Sequence, residues 1–119
     1  MYRKVLAILF FTFVCVAGWS QQIVENGNWV AVIGPITATE YDAYMPFDDN
    51  PYIYERVQLS YDQIETLRIA MGKYPTPRSG IQWYMVNLRY YYHESTSYVV
   101  IAGLRSDGRF NYKAYRARN

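Results

Sequence analysis

His93 is the single histidine of the chain, and it stands beside Glu94 and Ser95. A hydroxyl, an imidazole and a carboxylate are the parts of an acyl-transfer triad, in which the imidazole takes the proton of the nucleophile and the acid orients the ring. Nothing marks a nucleophile here, because the chain has no Gly-x-Ser-x-Gly elbow. The plainer reading is a solvated histidine in a turn, and no catalytic residue is assigned. Asp48 and Asp49 sit in a proline-bounded loop, with Glu40 and Asp42 upstream. Hard oxygen donors clustered in this way suit calcium, but the spacing matches no EF-hand loop, and adjacent acids are also what turns prefer. Glycine-rich phosphate loops are absent, with neither Gly-x-Gly-x-x-Gly nor Gly-Lys-Ser/Thr. We therefore expect no metal and no cofactor.

Aromatic residues carry the strongest signal. The chain holds 14 tyrosines in 119 residues. Over Ile81–Tyr92 (IQWYMVNLRYYY) a period of two divides the side chains into two sets. Ile81, Trp83, Met85, Asn87, Arg89 and Tyr91 face one way, and Gln82, Tyr84, Val86, Leu88, Tyr90 and Tyr92 the other. Both sets carry aromatics, so one face meets a helix and the other is either covered or used. Tyrosine joins a large apolar ring to a polar tip, which suits half-wet recognition surfaces. The candidate binding residues are Tyr84, Tyr90, Tyr92 and Tyr112, with Arg89 and Lys113 adding cation–π or anion contacts. The alternative is that the first sheet segment or a second protomer covers these rings.

The elements that position these residues begin with an address. Arg3 and Lys4 precede an apolar run, Val5 to Ala17, and small residues follow at Ala17, Gly18 and Ser20. A basic start, an apolar core and a small-residue cut site describe a secretory signal peptide over residues 1–20. The run is too short for a comfortable membrane span. Cys15 is the one cysteine. Lipoprotein processing at Cys15 is the competing reading, but Phe13 and Val14 ahead of it are bulky where small residues are preferred. Residues 21–119 then form a single small domain without cysteine, held by its apolar core rather than by disulfides. No thiol catalysis and no cysteine-ligated zinc remain.

The domain is neutral but polarised. From Gln21 to Thr66 there are eight acids and one base, and from Leu67 to Asn119 nine bases and two acids. Either the two halves interleave their charges, or a basic surface meets an anionic partner. Zero net charge and an export signal argue against nucleic acid.

Asn26-Gly27-Asn28 is a turn, Trp29–Ile33 a strand, Gly34-Pro35 an interruption, Ile36–Tyr44 a second strand, and Tyr52–Val57 a short extended piece. Ser60 and Gln63 form a capping box, and Ile64, Leu67 and Met71 recur at helical spacing. A helix is expected over about Tyr61–Met71, ended by Gly72 as its C′ residue and by Pro75 and Pro77. His93–Ser97 is read as a polar turn between strands Ile81–Tyr92 and Tyr98–Leu104. Asp107-Gly108 turns the chain into Arg109–Tyr115, and residues 116–119 are read as a frayed tail. The fold class is α+β: an antiparallel sheet ending in a three-stranded meander, with the helix packed on one face. The functional reading is a small exported, non-enzymatic domain. It would bind a macromolecular envelope partner, peptide or glycan, through a tyrosine-rich sheet face. One alternative is a structural homo-oligomer or assembly subunit using the same face. The other is a small envelope hydrolase built on His93 or a carboxylate pair.

Overall fold

A computed structural model describes residues 21–43, 53–91 and 93–118, with the backbone alone over 93–96. Residues 1–20, read above as a signal peptide, lie outside the described residues with Cys15, Asp48, Asp49 and Tyr92, as do the side chains of His93, Glu94 and Ser95. The described chain is a mostly-sheet α+β fold. Its elements are β1 (Gln22–Asn26), β2 (Trp29–Ile36), α1 (Ala38–Ala43), β3 (Tyr54–Val57), α2 (Tyr61–Met71), β4 (Ile81–Tyr90), β5 (His93–Arg105) and β6 (Phe110–Ala117). The six strands form one open antiparallel sheet in the order β1-β2-β4-β5-β6-β3. No described helix is long and apolar enough to cross a membrane.

Local chemistry explains the elements. Gly27, at φ +61°, takes the first central position of the two-residue β1–β2 turn, where a type II′ turn needs glycine. At the other hairpin the Gly108 N–H donates to the Arg105 carbonyl at 3.0 Å, with Gly108 at φ +85°. The α2 cap is reciprocal: the Gln63 N–H donates to Ser60 Oγ (3.3 Å) and the Ser60 N–H to Gln63 Oε1 (2.7 Å).

Five expectations are corrected. Within the segment expected as a second strand, Ile36–Tyr44, Ile36 ends β2 and Ala38–Ala43 is helical, because Thr37 and Glu40 cap α1. The Thr37 N–H donates to Glu40 Oε1 (2.7 Å), and the Glu40 N–H donates to Thr37 Oγ1 (3.1 Å). Gly34-Pro35 does not end β2. In register β1 reaches only Ile33, so among the described residues the nitrogen of Pro35 faces no partner strand and interrupts no ladder bond. Residues 93–97 belong to β5 rather than to a turn, and the pairing shifts register between Arg89 and Tyr90. The tail is tied down, since β6 runs to Ala117 and the Arg118 N–H donates to the Ile53 carbonyl at 2.7 Å. Gly72 ends α2 at φ −66°, in ordinary helical space, so its glycine character is not needed for a left-handed cap.

The core lies between α2 and the sheet. Leu67, Ala70 and Met71 of α2 and Leu59 before it pack on Val24, Ala31, Ile33, Tyr84, Val86, Leu88, Val100, Ala102, Leu104 and Ala114. Non-local hydrogen bonds pin the layers together. Asn26 Nδ2 donates to Thr66 Oγ1 (3.0 Å), and the Tyr74 hydroxyl donates to the Ile33 carbonyl (3.1 Å). A smaller cluster of Val32, Ile36, Met85 and Ile101 occupies the other face, with Tyr41, Trp83 and Val99 against it.

Candidate functional site

Of the six residues singled out as a binding patch, Tyr92 lies outside the described residues, and the other five do not come together on one face. Tyr84 is 1 % exposed, on the α2 side, with its ring 5.0 Å from that of Tyr74, and burial raises the pKa of its hydroxyl. Tyr112 faces the same way and is tethered. Its hydroxyl accepts from the Leu59 N–H at 3.1 Å and donates to Gln58 Oε1 at 3.4 Å. Tyr90 shares that face and stays partly exposed. Arg89 and Lys113 follow the opposite parity of β4 and β6 and lie on the other face, where Arg89 is only 4 % exposed.

Tyr90 instead belongs to a different aromatic group. β2 pairs with β4 so that Trp29 falls directly opposite Tyr90, and their rings meet edge to face at 5.2 Å and 76°. β4 pairs with β5 so that Leu88 faces Tyr98, which brings the Tyr98 ring to 6.0 Å from Trp29. All three rings are partly exposed. Edge-to-face geometry is the favoured arrangement of aromatic quadrupoles, and it holds the rings in fixed relative positions. Sequence reading missed Trp29 and Tyr98 because their meeting depends on non-local register. The parity of β5 did carry part of the signal, since Tyr98, Val100, Ala102 and Leu104 share one face.

Charge borders this group. Arg116 Nε donates to Glu55 Oε2 at 2.9 Å across the β3–β6 pair, and Arg118 Nη1 lies 3.7 Å from Glu55 Oε1. The Arg116 hydrogen bond is the main cause that holds the Glu55 carboxyl below the usual range, with the charges of Arg116 and Arg118 adding to it. Arg116 is held charged by the same bond and, to a lesser degree, by Tyr98. This pair joins the acidic first half of the domain to the basic second half.

The other face carries a small cleft of about 260 Å³, lined by Tyr41, Arg56, Trp83, Ile101, Asn111 and Lys113 among others. Tyr41 stacks on Trp83 at 3.8 Å and 17°. Gly103 makes room for the indole, since a Cβ there would fall 2.7 Å from the ring. The stack clamps α1 to the sheet and covers one face of the indole, which leaves Trp83 poorly placed to stack on a ligand. Among the described residues no three His, Cys, Asp or Glu side chains gather as metal ligands would.

The chain was compared with models of protein families, with curated proteins and with solved structures, and it matches none of them. Any functional reading therefore stands on the site itself.

Proposed function

We propose that this is a small exported binding domain without enzymatic activity, which holds a peptide or glycan of the cell envelope on the aromatic end of its sheet. The observation that carries the reading is the partly exposed trio Trp29, Tyr90 and Tyr98, fixed by ring–ring contacts beside Arg116. Flat rings with polar tips accept the apolar face of a sugar or an aromatic side chain, and tyrosine, tryptophan and arginine are the residues that dominate binding hot spots. Export is supported by the basic, apolar and small-residue order of residues 1–20.

The test is a screen of immobilised glycans and envelope-derived peptides, followed by Tyr98→Ala and Tyr90→Ala. Each substitution is expected to weaken capture by about tenfold or more, as loss of a hot-spot ring does, while the far-ultraviolet spectrum stays native. Capture that survives both substitutions would exclude this surface. A hydrolytic activity towards any of the screened glycans or peptides would replace the binding reading with an enzymatic one.

A further inference from the structure

The face that holds Trp29, Tyr90 and Tyr98 continues onto the next two strands. The register that sets Val99 opposite Tyr115 brings Tyr98 beside Arg116, and Arg116 lies directly opposite Glu55. Each of these five residues follows the parity of a neighbour on its own strand that packs into the α2-side core: Ala31, Leu88, Val100, Ala114 and Val57. All five therefore lie on one face. Rings occupy β2, β4 and β5, and charged groups occupy β6 and β3, in the order in which those strands lie side by side. Five strands at the usual spacing span about 19 Å, which is longer than a single sugar ring.

Glu55 uses one of its two oxygens. Its Oε2 accepts from both Nε and Nη2 of Arg116, whereas Oε1 lies 3.7 Å from Arg118 Nη1, too far for a hydrogen bond. Among the described residues Oε1 accepts no hydrogen bond, and the side chain is 29 % exposed. An accessible carboxylate oxygen beside a fixed guanidinium places an acceptor next to donors. That is the complement of two neighbouring hydroxyls on a sugar ring. A peptide is less well served. Sheets take extended peptides by backbone pairing at an edge, and the rings stand on β2, β4 and β5, each of which already pairs on both sides.

We propose that the aromatic end takes an oligosaccharide laid across the strands, with apolar sugar faces on the rings and a vicinal diol held by Glu55 Oε1 and Arg116. The proposal rests on the binding reading above and narrows it to one class of ligand. The rings supply contact area, and the ion pair selects hydroxyls.

The experiment is an array of hexose and N-acetylhexosamine oligosaccharides, from monosaccharide to hexasaccharide, with envelope-derived peptides beside them, followed by calorimetric titration of the best binder. Affinity is expected to rise with chain length until the row is filled. Glu55→Gln should weaken the best oligosaccharide by about tenfold, as loss of a hydrogen bond to a charged acceptor does. Arg116→Gln should act in the same direction. Asp107→Asn removes the ion pair with Arg105 (3.3 Å) in the β5–β6 turn, at the opposite end of the sheet, and should leave the affinity unchanged. Peptides that bind while no oligosaccharide does, and that Tyr98→Ala releases, overturn the proposal and leave the binding reading standing. An affinity that stops growing at the monosaccharide, or that ignores Glu55→Gln, also overturns it. Capture of neither class removes the proposal together with the reading it rests on.

Discussion

Tyr84 and Tyr90 lie on one strand, face the same way and differ in fate. Tyr84 is sealed beneath α2 and Tyr74, whereas Tyr90 lies partly exposed against Trp29. The difference is one of reach. An eleven-residue helix is about 16 Å long, whereas the ten residues of β4 extend for about 33 Å. One helix cannot roof the whole face. α2 packs chiefly over β1 and β2 and touches β4, and the end of the face that carries Trp29, Tyr90 and Tyr98 is left half-wet. A tyrosine on a helix-facing strand is therefore core or surface according to where the helix stops, and residue type does not distinguish the two.

The largest effect that sharpens this comparison is at Tyr84. Tyr84→Ala leaves a ring-sized void in a sealed layer and should cost about 3–5 kcal/mol, read as a drop in the urea midpoint at unchanged slope. Tyr90→Ala should cost clearly less, because one side of that ring already meets water. Equal losses would mean that the two regions are packed alike and that the aromatic end is ordinary core. Next in size is Gly103→Ala. The added methyl meets the Trp83 ring at 2.7 Å, and overpacking of this kind costs roughly 1–3 kcal/mol. It should also release Trp83 from the Tyr41 stack, seen as a change in tryptophan emission. Ser60→Ala removes one side of the α2 cap and should cost about 1 kcal/mol. It acts at the start of the helix that divides the sealed from the open region.

What could be read in advance follows from how local each signal is. α2 was legible to the residue because its capping box, its apolar spacing and its prolines all lie within eighteen positions, Ser60 to Pro77. The meander was legible because β4, β5 and β6 are consecutive and alternate clearly. α1 was missed although Thr37-Ala-Thr-Glu40 is itself a capping pattern, because the rough alternation over Ile36–Tyr44 reads as extended chain. The aromatic site was legible only in part. Tyr90 was named from its parity, but its partners are set by the β2–β4 and β4–β5 registers, which join positions 61 and 69 residues apart in the chain, Trp29 to Tyr90 and to Tyr98. Arg89 and Lys113 were on the opposite parity from the tyrosines, and the pleat keeps them there.

The smallest effect distinguishes the forces in the two regions. Burial holds the sealed layer, and it should respond little to pH or salt. The aromatic end is bordered by the Glu55 pair with Arg116 and Arg118, which lies at the surface and is screened by salt. The folded pKa of Glu55 is lowered, first by its hydrogen bond from Arg116. The pair therefore contributes stability that is present above the ordinary glutamate value of about 4.3 and is lost as pH falls through the lower folded value. Glu55→Gln should accordingly melt close to the wild type at high salt at any pH. At low salt it should lie slightly below the wild type near pH 7, and the two curves should converge as pH drops below about 4. A gap that persists in acid would mean that Glu55 acts by packing rather than by charge. The two ends of the sheet would then be held by the same force.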